Sequence, residues 1–158
     1  MHLHLDAVGG VAGDMFIAAL LDAFPEHRAG MLDAIRAAGL PEDVTLSVME
    51  HRDHALTGLR FHVEEAQSAH AGHTPFSLVR DRLSRSVLEA PVKSAAIAIF
   101  TLLAEAEARV HGRSIDAVSF HELGTWDSIA DIVGAAHLIS RMNEASWSVS
   151  ALPLGSGL

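Results

Sequence analysis

Residues 120–136 read FHELGTWDSIADIVGAA, and they place metal-ligand side chains at a turn that leads into an otherwise apolar helix. Gly124 marks the turn and Thr125 is the predicted N-cap. Asp127 falls in the first helical turn, where the helix dipole favours negative charge. Because the helix is apolar on almost every side, we expect it to be buried, with the rest of the chain as its scaffold.

Two aspartates interrupt this helix. Asp127 and Asp131 are four positions apart and therefore share one side, away from the apolar stripe that contains Ile129 and Val133. Two like charges on a buried face are costly unless a cation, hydrogen-bond donors or a partner surface compensates them. The alternative is that Asp127 serves the helix dipole and that both side chains face solvent.

The composition restricts the kinds of function. The 158 residues suggest one domain, and the net charge of −9 argues against nucleic acid or an anionic membrane as the main partner. There is no cysteine, so disulfides, thiolate metal sites and cysteine nucleophiles are excluded. Eleven histidines together with the carboxylates are the ligand types for nickel, zinc, manganese or iron. No signal peptide or membrane-spanning run is recognisable, so we expect a cytoplasmic protein.

A glycine-containing loop at residues 7–13 follows a short strand and leads into a helix that begins near Asp14. Gly10 and Gly13 would let the backbone approach an anion at the start of that helix. The loop is not a P-loop, since no lysine follows it. Asp6 and Asp14 flank it, so a phosphate here is easier to accept with a bridging metal. The alternative roles are a turn residue for Asp6 and an N-cap for Asp14.

The remaining pattern alternates strands and helices. The predicted helices span residues 15–24, 27–38, 74–88 and 91–111, with a last one that begins at Thr125. The predicted strands span residues 2–6, 44–50, 56–64 and 146–152, with a further short segment through Val118. This order predicts an α/β or α+β fold, as a single layered domain with one mixed sheet and about five helices.

The helix over residues 91–111 is the longest predicted element. Its expected core positions are Val92, Ala95, Ala96, Ile99, Leu102, Leu103, Ala106 and Val110. Gly112 is expected to end the helix, and His111 either complements the helix dipole or contributes to a site.

Three other histidines lie in or near the predicted strand pair. His51, His54 and His62 are predicted to have surface or packing roles, because nothing in the sequence fixes their convergence.

Three segments of the chain resemble a known family. They are HLD at residues 4–6 with GVAGDM at 10–15, AEAEARVHG at 104–112, and FHELG at 120–124 with DSIADIVG at 127–134. In this order they resemble the nickel-insertion protein of nickel-pincer cofactor synthesis, the LarC family. The resemblance implies a CTP-dependent nickel insertase, a cyclometallase that places Ni²⁺ into pyridinium-3,5-bisthiocarboxylic acid mononucleotide.

On this basis we predict a site that handles nickel. The predicted metal ligands are His121, Glu122, His111 and Asp14. Asp127, Asp131 and Asp6 are predicted to orient those ligands or to hold a hydrated cation, while Gly10 and Gly13 admit the substrate phosphate.

The resembled family continues beyond the glycine-rich end of this chain. We therefore expect residues 1–152 to form its N-terminal domain and residues 153–158 to be a linker toward a C-terminal domain. The resemblance associates that domain with CTP and with Mg²⁺ or Mn²⁺. The expected partners are the pyridinium mononucleotide and the C-terminal domain or subunit, and a homo-oligomer is a further possibility.

Two other functions fit the same residues. The first is a non-enzymatic nickel-holding or assembly module, whose helix with two aspartates docks a partner chain. The second is a metal-dependent hydrolase with Glu122 as general base, although no nucleophile pattern accompanies it.

Overall fold

The computed structural model describes residues 1–54, 56–65, 74–120 and 124–153. The helices are α1 (Gly13–Ala23), α2 (Arg28–Ala37), α3 (Phe76–Arg85), α4 (Ala90–His111) and α5 (Trp126–Arg141). The strands are β1 (His2–Leu5), β2 (Thr45–Asp53), β3 (Leu56–Glu64), β4 (Thr74–Pro75), β5 (Ser119–Phe120) and β6 (Ser146–Val149). The mixed α/β class and the five helices are confirmed. None of the described helices is long and apolar enough to cross a membrane.

The strands pair differently from the expected single mixed sheet. In the described ranges they form three two-stranded sheets: β1 runs parallel to β6, while β2 pairs with β3 and β4 with β5 in antiparallel fashion. Helix α1 contacts strands of two of these sheets. It packs against β3, and its Phe16 contacts Trp147 of β6 with ring centroids 6.2 Å apart.

Helix α5 lies at the centre of the core, in contact with α1, α2 and α4. Its buried apolar positions are Ile129, Ala130, Val133, Gly134, Ala136 and Leu138. Gly134 allows the close approach of α1 and α2, because a Cβ there would lie 2.8 Å from Cδ1 of Ile17 and 3.1 Å from Sδ of Met31. Burying a side chain such as Ile129 contributes roughly 1.5–3 kcal/mol. The expectation that this helix is buried is confirmed.

Aromatic contacts connect α3 and α4 to the segment before α5. Phe120 of β5 meets Phe76 edge-on, with ring centroids 6.0 Å apart, and it meets Phe100 of α4 at 6.1 Å. All three rings are buried. At Gly124 an added Cβ would collide with the side chain of Thr74. The start of α5 is thereby fixed against β4.

Helix α4 has the predicted C-terminus but not the whole predicted core stripe. Its buried residues are Val92, Ala96, Phe100, Ala104 and Ala108, one every four positions. Leu102 and Val110 are instead 66% and 78% exposed. Apolar residues occur on nearly all sides of this helix, so periodicity alone does not determine which side is buried. Gly112 ends the helix in the left-handed conformation, as expected.

Candidate functional site

The start of α1 lies against α5, and the contact is made by a carboxylate. The backbone N–H of Asp14 donates a hydrogen bond to the side chain of Asp131. Gly13 makes room for it, because a Cβ at that position would lie 2.6 Å from Oδ2 of Asp131. The N-cap residue of α1 is Ala12, which has no side-chain acceptor. Asp131 therefore caps α1 from another helix, and Asp14 is not the N-cap.

The start of α5 has two caps. Thr125 is the N-cap, as predicted, and its side chain accepts a hydrogen bond from the N–H of Ser128 at 3.3 Å. A second acceptor comes from beyond β3, where Oε1 of Glu65 accepts the N–H of Asp127 at 2.8 Å. The sequence analysis did not identify Glu65, since no local pattern links it to a residue 62 positions away.

Four acidic side chains thus gather around these two helix starts, and they raise the pKa of the central pair. Burial is the main cause for Asp131, and the charges of Asp127 and Asp14 add to it, so its pKa rises from 3.8 to about 7. The hydrogen bond from Asp14 opposes this rise. The pKa of Asp127 also rises, first through burial and then through the charges of Glu65 and Asp14, while His62 acts in the opposite direction.

One oxygen of Asp131 has no donor in the described part of the chain. Its Oδ1 is buried and forms no hydrogen bond there. A buried carboxylate oxygen without a donor is costly, and either a proton or a nearby cation relieves that cost. Asp131 therefore has the properties of a group that exchanges a proton for a cation.

The described carboxylates do not complete a metal site by themselves. Within residues 1–54, 56–65, 74–120 and 124–153, no group of three or more His, Asp or Glu side chains is arranged to hold a metal ion. The predicted ligands His121 and Glu122 lie outside the described residues, so their role stays a prediction. Five positions separate Glu122 from Asp127 along the chain.

The remaining predicted residues lie at the edges of this site or elsewhere. Asp6 is exposed just after β1. Gly10 has a φ of 104°, and its N–H donates to the carbonyl of Ala7 at 3.0 Å, which closes a turn in the glycine loop. His111 lies at the end of α4, where its Nε2 is 3.1 Å from Oε1 of Glu107. This contact lies within the helix, so the helix-end role of His111 and its role as a ligand both stay predictions.

Sequence reasoning also missed a buried histidine in the C-terminal half of α5. His137 is 5% exposed and lines a cavity of about 290 Å³ together with Val92 and Arg141. Gly30 of α2 makes room for the ring, since a Cβ there would lie 3.1 Å from Nε2. Burial, and then the charge of Arg141, lower the pKa of His137. No sequence signal points to this residue, because its surroundings come from α2 and from the connection between α3 and α4.

A larger open groove of about 650 Å³ lies beside the β2–β3 hairpin and is lined by Asp22, His51 and Arg52. It includes none of the predicted site residues. The chemistry therefore points to the carboxylates at the starts of α1 and α5, not to this groove.

Comparison with known proteins identifies the family. A family model described as nickel insertion protein matches residues 3–158. This chain belongs to the nickel insertion protein family. Its resemblance to that family, based on three segments, is confirmed.

Relatives in the nickel insertion protein family cover nearly the whole chain. It is 40% identical to a putative nickel insertion protein of Pelobacter propionicus, over 98% of this chain and 39% of the relative. It is 36% identical to the pyridinium-3,5-bisthiocarboxylic acid mononucleotide nickel insertion protein of Akkermansia muciniphila, over 96% of this chain and 39% of the relative. A protein of the same name from a Nocardioides species is 38% identical, and the match covers 97% of this chain and 38% of that protein. No solved structure matches.

The chain therefore spans about two-fifths of the length of these nickel insertion proteins. Two of the three segments that resemble the family meet in the structure. Gly13 and Asp14 of the first segment contact Asp131 of the third. Two of these segments therefore contribute to the place where the carboxylates gather.

Proposed function

We propose that this chain supplies the nickel-handling part of an enzyme that inserts Ni²⁺ into pyridinium-3,5-bisthiocarboxylic acid mononucleotide, in a CTP-dependent cyclometallation. The observation that carries the proposal is the carboxylate of Asp131, with its raised pKa and its buried Oδ1. The names of two relatives support the substrate.

The chain's part in this reaction begins with a proton-for-metal exchange. With a pKa of about 7, Asp131 carries a proton on a substantial fraction of molecules near neutral pH. An arriving Ni²⁺ displaces that proton, and its charge then offsets the mutual repulsion of Asp14, Asp127 and Asp131. In this proposal His121 and Glu122 contact the metal directly, while Asp127 and Asp131 orient them or hold its water molecules.

Calorimetry with Ni²⁺ tests the site. We expect wild-type protein to bind Ni²⁺, and the variants His121→Ala, Glu122→Ala and Asp131→Asn to bind it at least about tenfold more weakly, which corresponds to about 1.4 kcal/mol. At pH 6.5, binding should release protons, so the observed enthalpy should depend on the ionisation enthalpy of the buffer. Asp131→Asn should reduce this dependence.

His51→Ala is the matched control, because His51 is an exposed histidine of β2. Its Ni²⁺ affinity should equal that of the wild type. Undiminished binding in both His121→Ala and Glu122→Ala would contradict the ligand assignment, and equal proton release in Asp131→Asn would contradict the exchange.

A second candidate is a non-enzymatic nickel-holding module that pairs with a separate C-terminal domain or subunit. It assigns the use of CTP to the part of these relatives that the match does not cover, about three-fifths of their length. CTP turnover with Mg²⁺ or Mn²⁺ distinguishes the two. We expect none from this chain alone, and turnover by the isolated chain would contradict the need for a partner.

A further inference from the structure

The phosphate of a mononucleotide needs a positively charged partner. The start of α1 is therefore a poor position for it. Its Asp14 N–H already donates to the carboxylate of Asp131, which lies against Gly13. The charges of Asp127 and Glu65 lie nearby. A phosphate brought to this helix start would meet several negative charges, and like charges repel strongly where water is partly excluded.

Arg82 of α3 is a cation in a suitable place. It is partly buried, and its Cζ lies 4.2 Å from the centroid of the Trp126 ring. Two other arginines are engaged with carboxylates, Arg80 with Asp116 at 3.8 Å and Arg141 with Glu89 at 2.7 Å. Among the described residues, Arg82 forms no such ion pair.

The stack of Arg82 on Trp126 is held by the surrounding fold. Strand β4 runs directly into α3, and its Thr74 pairs with Phe120 of β5. The backbone of Gly124, two residues before Trp126, packs against the side chain of Thr74. Both partners of the stack therefore belong to one packed unit. A guanidinium already ordered on an aromatic face loses less conformational freedom when it binds an oxyanion.

We propose that Arg82, held over the ring of Trp126, binds the phosphate of the pyridinium mononucleotide. The choice of ligand rests on the proposed function. Trp126 precedes Asp127 in the first turn of α5, so the phosphate and the metal occupy neighbouring but separate positions. This separation keeps the phosphate away from the carboxylates while its nucleotide remains within the same site.

Trp126 is also a probe for this interaction. The chain has two tryptophans, and Trp147→Phe leaves only Trp126 to report. In that background we expect nicotinamide mononucleotide, which carries a pyridinium ring and a phosphate but no carboxylate, to change the fluorescence on titration. Inorganic phosphate should compete with it. Nicotinate, which has a carboxylate and no phosphate, should compete at least tenfold more weakly if the phosphate is the recognised group.

Arg82→Met should weaken the binding of nicotinamide mononucleotide at least tenfold, and Arg82→Lys by a smaller factor, because lysine keeps the charge but not the planar pair of donors. Arg80→Gln is the matched control, since it removes the same charge from the same helix. It should leave the affinity within twofold of the wild-type value. Circular dichroism and the Tm of each variant establish that the fold is retained.

The outcomes separate this inference from the proposed function. Loss of nucleotide binding in Arg82→Met with Ni²⁺ binding intact supports a separate phosphate position. Unchanged nucleotide binding in Arg82→Met, an equal loss in Arg80→Gln, or no binding by wild-type protein overturns the inference. Stronger competition by nicotinate than by phosphate overturns the choice of phosphate. Failure of Ni²⁺ binding alone overturns the proposed function instead.

Discussion

Helix α5 places two polar side chains against glycines of other helices, and the two contacts have opposite electrostatics. Asp131 lies against Gly13 of α1, and His137 lies against Gly30 of α2. Burial and neighbouring carboxylates raise the pKa of Asp131, whereas burial and a neighbouring cation lower that of His137. The first contact therefore favours an added proton or cation, and the second disfavours one.

This difference shows that the neighbours, not the helix itself, decide which polar position is suited to a cation. Near His137, the charge of Arg141 is already balanced by Glu89, whose two oxygens both lie 2.7 Å from Nη2. Near Asp131 the described neighbours add negative charge instead. The uncompensated contact is therefore the candidate site, and the compensated one is part of the packing.

The largest effect on stability is expected from alanine at Gly13, in contrast to alanine at Gly30. In Gly13→Ala the new Cβ would lie 2.6 Å from Oδ2 and 2.8 Å from Cβ of Asp131, so the carboxylate must move and α1 loses its cap. We expect the free energy of unfolding in urea to fall by about 2 kcal/mol. Gly30→Ala meets a looser contact, 3.1 Å from Nε2 of His137, and the better helix propensity of alanine offsets it. We expect its stability to lie within about 0.5 kcal/mol of wild type. Equal losses in the two variants would contradict the comparison.

The next largest effect is the change of stability with pH that Asp131 causes. The folded protein holds a proton on this carboxyl up to a pKa of about 7, whereas an unperturbed carboxyl releases it near 3.8. Stability should therefore fall as the pH rises from about 4 to about 7, and the penalty should be fully present above that range. With a discount for solvent screening, Asp131→Asn should be more stable than wild type by about 1–2 kcal/mol at pH 8 and nearly equal at pH 4. Urea unfolding at both pH values measures this, and a less stable variant at pH 8 would refute it.

His137 should cause a smaller pH dependence of stability, opposite in sign to that of Asp131. Its folded pKa lies below the ordinary 6.5, so the unfolded chain takes up a proton that the folded protein resists. Its contribution to stability is present above pH 6.5 and is lost as the pH falls toward and through the folded pKa. His137→Gln removes this titration, so the decline of Tm between pH 6.5 and 5 should become shallower. The quantity to compare is the slope of Tm against pH. The absolute Tm is not suitable, because replacing the ring also changes packing. An unchanged slope would show that His137 does not oppose protonation.

The features that sequence predicted correctly depend on local signals. Thr125 as N-cap, Gly112 as helix end and the burial of α5 each follow from residues within a few positions. The contacts of Asp131 with Gly13, Glu65 with Asp127 and His137 with Gly30 join distant parts of the chain, and no local pattern encodes them. The separate sheets and the buried side of α4 were likewise decided by tertiary packing. Three segments of the sequence were enough to predict the family. Only the structure shows that two of these segments meet.

The parallel pairing of β1 with β6 has a consequence for how the protein is made. β1 leaves the ribosome long before its partner, which begins only at Ser146, and Leu5 pairs with Val149. Contacts this distant in sequence form slowly, because a long loop must close before they are made. The glycine loop that continues from β1 to Asp14 should therefore settle late, after the helices have packed. A nascent chain would then lack an ordered candidate site until β6 has emerged, so the carboxylates would gather only after these two strands have paired.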